Sequence, residues 1–322
     1  MTDGLVVRPL TGSEELDLFL GLSYTLDHEL SDDLASGRRL PEWMWVAVRD
    51  GRLLGRIAWW THTAGAAPYV LDFFDLAPEL SAEEAAGVGR RLLAEASAAV
   101  VPAGATPPEY SRFLSPDWRE DPVERAGVEA RLGLLAESGA RLLVERLRLE
   151  WRPGRPVAEP SGRLRFRPVR DREDLVALMA RTLEGTLDAH SRAELAEGLA
   201  AREAAERQYD GEFARYSSPR DWWRIAERAG TGDPVGFVVP ARNSYNPIIA
   251  YIGVLPDHRG RGYVDEILAE GTRILAGTGV DRVRASTDVG NAPMAAAFAR
   301  AGYAVFQRQI DCVWDAPGAS PS

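Results

Sequence analysis

Residues 248–264 read Ile248-Ile249-Ala250-Tyr251-Ile252-Gly253-Val254-Leu255-Pro256-Asp257-His258-Arg259-Gly260-Arg261-Gly262-Tyr263-Val264. The apolar run from Ile248 to Leu255 has the length of a strand and stops at Pro256. A basic, glycine-rich turn follows, from His258 to Gly262. From Tyr263 the period becomes helical, with Val264, Ile267, Leu268 and Leu275 on one face. A strand that feeds a glycine turn opening a helix is an anion site by construction. The first helical N–H groups lack partners, and the helix dipole adds positive potential there. Gly260 and Gly262 let backbone approach closely, and Arg259 and Arg261 add positive charge. The dinucleotide motif needs a third glycine and the P-loop needs Gly-Lys-Ser/Thr; neither is present.

Further along, Val280, Val283 and Ala285 mark a second strand, and Asn291 starts a helix that ends near Gly302. The whole run resembles the acetyl-coenzyme-A-binding core of the GNAT N-acetyltransferase superfamily. That family carries Arg/Gln-x-x-Gly-x-Gly/Ala between a strand and a helix. Here Arg259 takes the first place, Gly262 the fourth and Val264 the sixth, a departure from the small residue. The family's later Asn-x-x-Ala/Met-x-x-x-Tyr-x-x-x-Gly-Phe/Tyr stretch is matched by Asn291, Met294, Gly302 and Tyr303, with Phe298 in the tyrosine's place.

Two halves appear when the chain is laid against itself. Val7-Arg8-Pro9-Leu10 with Glu15-Leu16 resembles Phe166-Arg167-Pro168-Val169 with Asp174-Leu175. Gly139 and Trp151 echo Gly302 and Trp314, both at an offset of 163 (302−139 and 314−151). The expected organisation is α/β (mixed α+β): two tandem GNAT-like domains, each a mixed, mostly antiparallel sheet flanked by helices. The first covers 1–152, a Pro/Gly-rich linker 153–163, the second 164–316, and a disordered tail 317–322. In the first half, strands at Leu5–Arg8, Met44–Arg49, Leu53–Thr61 and Tyr69–Leu76 surround a helix near Glu14–Leu22. After Pro78 that half has Glu79, Glu83 and Glu84 where the second has His258, Arg259 and Arg261. Carboxylates repel a pyrophosphate, so this copy of the coenzyme site is degenerate. Gly87-Val88-Gly89 reads as helix, or as a displaced glycine turn. In the second half, helices are expected at Asp171–Thr182 and, unbroken, at Ser191–Gln208.

The chain of 322 residues has a net charge of −10, which disfavours nucleic acid and favours cationic partners. The single cysteine, Cys312, permits no internal disulfide and fits a cytoplasmic location; no apolar run approaches membrane length, so no membrane partner is expected. His28-Glu29-x-x-Asp32 has the spacing of a metal pair, but no second cluster joins it, and no metal is expected. Trp59 and Trp60 are adjacent on a strand and must face opposite ways, into a core or a contact. A monomer or homodimer is expected.

The resemblance implies an acyl-coenzyme-A-dependent N-acyltransferase, with acetyl-coenzyme A as co-substrate and the active site in the C-terminal domain. A small-molecule amine, expected to be cationic in view of the acidic chain and of Glu194 to Glu212, attacks directly in a ternary complex. Coenzyme contacts are implied at Val254, Arg259, Gly260, Arg261, Gly262, Tyr263, Val264, Asn291 and Phe298. A thiol of pKa about 8.5 leaves without an acid, whereas an amine of pKa about 10.4 needs roughly 4.6 kcal/mol of deprotonation at pH 7. No carboxylate lies on the coenzyme strand; a water held by Asn243, Tyr245 or Tyr251 is the candidate base. The rival reading is a non-catalytic protein that binds acyl-coenzyme A or the acceptor.

Overall fold

The computed structural model describes residues 4–315, so the tail expected at 317–322 lies outside the described residues. Two compact units are present, Met1–Val144 with Gln309–Ser322, and Glu145–Arg308.

The first unit runs β1 (Val6–Pro9), α1 (Leu16–Phe19), α2 (Leu30–Ala35), β2 (Met44–Arg49), β3 (Arg52–Trp60), β4 (Val70–Leu76), α3 (Ala82–Val100), β5 (Glu109–Leu114), α4 (Pro122–Glu137) and the start of β6 (Ala140–Trp151). Strands β1 to β4 pair antiparallel in sequence order, and β5 joins β4 in parallel. Asp50 and Gly51, both at positive φ, make the β2–β3 turn. Ile57, Phe74, Leu92 and Leu134 pack one face of the sheet, and Phe19, Leu30, Val46 and Phe73 the other. Trp59 is buried in the first of these cores, and Trp60 is half-buried. Gly87 and Gly89 lie inside α3, so the helical reading holds. A side chain at Gly89 would collide with Leu134, which explains the small residue there. The helix expected over Glu14–Leu22 shrinks to a 3-10 turn at Ser13–Glu15 and the single turn of α1, ending before Gly21.

The second unit repeats the plan with β7 (Leu164–Pro168), α5 (Arg172–Thr182), α6 (Ala189–Ala196), α7 (Ala201–Gly211), β8 (Arg224–Arg228), β9 (Pro234–Arg242), β10 (Pro247–Val254), α8 (Tyr263–Ala276), β11 (Val283–Asp288), α9 (Ala292–Arg300) and the start of β12 (Ala304–Trp314). Here too the first four strands are antiparallel in sequence order and the fifth is parallel to the fourth. The expected helix Ser191–Gln208 is two helices, because Gly198 adopts φ 94° between them. The duplication extends to single contacts. Arg8 forks onto Glu15 at 2.7 Å and reaches the Pro9 carbonyl; Arg167 forks onto Asp174 at 2.5 and 2.9 Å and reaches the Pro168 carbonyl.

The units do not follow the duplicated halves strand for strand. Glu145–Trp151, the end of β6, pairs antiparallel with β11 and closes the second sheet. Gln309–Trp314, the end of β12, belongs to the first unit, where β12 neighbours β5 and Asp311 accepts the Ser111 hydroxyl at 2.7 Å. The stretch expected as linker has no regular structure but is held on the second unit. Arg163 pairs with Glu266 and donates to the Arg261 carbonyl, and Arg273 donates to the Ala158 carbonyl.

Candidate active site

In the second unit, β10 and β11 share one register pair, Ile248↔Arg284, and then part. A β-bulge between Ile249 and Tyr251 bends β10 away. From Ile249 to Val254 its β11-facing edge therefore has no strand partner among the described residues. The opening is a cleft of about 380 Å³ lined by that edge, by Ser286 and Thr287 of β11, by the glycine turn, and by Asn291, Pro293, Met294 and Phe298.

At one end Gly260 and Gly262 adopt φ 72° and 74°, left-handed geometry that bars a side chain. Nothing lies within 4 Å of where a Cβ on Gly260 would stand, and only Arg163, at 3.9 Å, for Gly262, so the turn is an open cradle. Gly262 starts α8 without any side-chain cap, which leaves first-turn N–H groups facing outward. The equivalent helix of the first unit, α3, opens instead on a capping box in which Ser81 and Glu84 bond reciprocally.

The residues expected to contact coenzyme divide in three. Val254, Gly260, Gly262, Tyr263, Val264, Asn291 and Phe298 line the cleft. Asn291 also caps α9 through the Met294 N–H at 3.3 Å, and Phe298, fully buried, meets Tyr303 edge-on at 5.1 Å. Arg259 lines the cleft, but its guanidinium is engaged by backbone: it donates to the carbonyls of Thr182 (2.7 Å), Glu184 (2.6 Å) and Val254 (3.1 Å). It thereby caps the C-terminus of α5 and fixes the turn to the strand before it. Arg261 is not among the lining residues.

Of the base candidates, Tyr251 lines the cleft, stacked on Phe237 at 5.4 Å, and burial pushes its phenol up to about 12. Asn243 and Tyr245 do not. Asn243 accepts the N–H groups of Tyr245 and Asn246 and builds the β9–β10 turn, at the other end of β10 from the glycines. The carboxylates of α7 are matched by arginines: Glu206 and Asp210 by Arg172, Glu203 by Arg207. Sequence reading missed Asp188 and Arg146, which line the cleft, and Asp288 behind them. Arg146 stands opposite Asp288 in the β6–β11 ladder, with an ion pair at 3.0 Å.

The corresponding opening in the first unit is filled. Strands β4 and β5 part after Leu71↔Tyr110, and Arg112 of β5 reaches Asp75 of β4 at 2.8 Å. The Tyr24 ring lies 3.6 Å from that guanidinium, and Arg56 holds the second Asp75 oxygen at 2.8 Å.

Residues 163–304 match the family model described as an acetyltransferase (GNAT) domain. That segment is similar to a GNAT domain. Two solved structures resemble the chain over nearly its full length. One is a GCN5-related N-acetyltransferase from Sphaerobacter thermophilus, at 16% identity and a TM-score of 0.58, covering 97% of this chain and 95% of that one. The other is a tandem GNAT protein from the clavulanic acid biosynthesis pathway, at 18% identity and a TM-score of 0.51, covering 99% of each. At such identities the likeness establishes the fold, which is that of two GNAT domains in series. A search of curated protein sequences found no match. GNAT-fold proteins use an acyl-coenzyme A as co-substrate. Among the described residues no helix is long and apolar enough to cross a membrane.

Proposed function

We propose that the second unit binds acyl-coenzyme A, as acetyl-coenzyme A, and transfers the acyl group to an amine in a ternary complex. The carrying observation is the open edge of β10 leading into an uncapped helix start through two left-handed glycines. Backbone groups from Ile249 to Val254 would pair with an extended amide-bearing arm, as a missing strand would. The N–H groups at Gly262 to Val264 would hold the pyrophosphate, with Arg259 fixing the turn that presents them. An acyl thioester bound there supplies a carbonyl that the amine attacks, and the coenzyme thiol departs. A free N–H of β10 beside that carbonyl would stabilise the oxyanion. Tyr251 stays a neutral phenol at physiological pH and can donate a hydrogen bond but not act as a base.

The first unit has the parted strands but neither the left-handed glycine turn nor the uncapped helix start. Its helix is self-capped, its opening is bridged by Arg112 and Asp75, and we assign it no coenzyme. Non-catalytic binding is the second reading, favoured by Phe298, which brings no hydroxyl to the cleft. Calorimetry with acetyl-coenzyme A, followed by an assay of free thiol released with an amine panel, tests both. Binding with no turnover on any amine leaves the second reading; no binding removes both.

A further inference from the structure

The β11 side of the cleft has a charge arrangement of its own. Asp188, N-cap of α6, lines it together with Arg146 from β6. Arg146 is matched to Asp288, 3.0 Å away, and the second Asp288 oxygen accepts the Ala189 N–H at 2.6 Å. Asp288 is buried and does not line the cleft, whereas Arg146 does. Asp188 accepts the Ser191 N–H through Oδ1 at 2.8 Å. Its Oδ2 lies 3.7 Å from Arg146, beyond hydrogen-bond length. On this side of the cleft the Arg146 guanidinium faces both carboxylates, Asp288 at 3.0 Å and Asp188 at 3.7 Å, with His190 beside them, and Asp188 is the carboxylate that lines the cleft.

Three of the helix carboxylates that the sequence offered for cation recognition are already paired and stand away from the cleft lining. Glu203, Glu206 and Asp210 are held by Arg207, Arg202 and Arg172, and none lines the cleft. On the reading that this is an acyl-transfer cleft, we propose that Asp188 is the acceptor anchor, binding a cationic alkylammonium group through its outward oxygen. The acceptor class is an amine carrying a second positive charge, such as a diamine or polyamine. The anchored ammonium holds the molecule while the other nitrogen, deprotonated, attacks. This separates the two demands: one nitrogen must stay charged to be held, the other must lose its proton to react. Apolar neighbours Leu187 and Met294 along the cleft wall suit the methylene chain between them.

Asp188→Asn tests this cleanly, because asparagine caps a helix nearly as well as aspartate and keeps the Ser191 bond. The expected result is a kcat/KM for spermidine lower by about 10- to 100-fold, the range for losing one charge-assisted bond, mostly through KM. The loss on spermidine exceeds that on a neutral arylamine by about tenfold or more, calorimetric affinity for acetyl-coenzyme A is retained, and Asp188→Glu recovers part of the spermidine activity. Equal loss on both amines, or none on spermidine, overturns the proposal. If wild-type protein binds acetyl-coenzyme A but turns over no amine, transfer itself is refuted and the anchor is tested by direct titration. Spermidine binding to the coenzyme-loaded protein that vanishes in Asp188→Asn supports it, and no binding to wild type overturns it.

Discussion

Asp75 and Arg112 meet at 2.8 Å across the gap where β4 and β5 separate. The same gap in the other unit is the open cleft, with Gly253 at the place of Asp75. A coenzyme arm cannot enter the first gap without breaking a buried ion pair, which costs about 3–5 kcal/mol. Calorimetry should therefore give one acetyl-coenzyme A per chain. Gly262→Glu should abolish that binding, since it forces a side chain at φ 74° and puts an anion in the cradle. Two equivalent sites, or full affinity in the variant, would refute the assignment.

Arg259 should matter to coenzyme affinity because it ties the glycine turn to the carbonyls of Val254, Thr182 and Glu184. Lysine cannot donate in a fork to three carbonyls. Arg259→Lys is expected to weaken acetyl-coenzyme A binding by about tenfold, or 1.4 kcal/mol. A lower melting temperature, from a loss of about 1–3 kcal/mol, should accompany it. Unchanged affinity with a lowered melting point would make Arg259 purely structural.

Phe298 is buried against Tyr303, and the coenzyme thiolate needs no acid to leave. Phe298→Tyr should shift kcat by less than about tenfold, well short of the 10²–10⁴ a general acid supplies. A fall of a hundredfold in a folded variant would show that the ring itself positions the acyl group.

The fork between Arg8 and Glu15 predicts part of the acid limb of stability. Hydrogen bonds from Arg8, then the Thr11 N–H, hold the Glu15 carboxyl down to about 2 from an ordinary 4.5. A folded-state value below the unfolded one stabilises at pH above 4.5 and is lost as pH falls toward 2. Glu15→Gln should be less stable than wild type at pH 7 and converge with it near pH 2. Urea unfolding at pH 7, 4, 3 and 2 reads this directly; a constant difference across the series would deny the linkage.

What the sequence showed and what it hid have physical reasons. Gly260, Gly262, Asn291 and the Asp50-Gly51 turn were legible because their residue types answer a local backbone demand. The strand–turn–helix order and the duplication were legible for the same reason, since periodicity and spacing are properties of neighbours. The backbone partners of the Arg259 side chain were not legible because they, such as Thr182, lie up to 77 positions away. Glu203 to Asp210 look like a negative surface in one dimension, but Arg172, Arg202 and Arg207 neutralise them in three. Asp188 stayed hidden because a helix-capping aspartate in a loop is indistinguishable, by sequence, from any other.

The division of β6 and β12 bears on how the protein is made. Residues up to Val144 leave the ribosome together, yet the strand that completes their sheet begins at Gln309, 165 positions later (309−144). During synthesis that sheet waits with one edge unsatisfied, while the second unit, from Glu145 to Arg308, becomes complete as it emerges. The half that is translated first is therefore the half that finishes folding last. Release of the two duplicated halves as separate genes would leave each without its own closing strand.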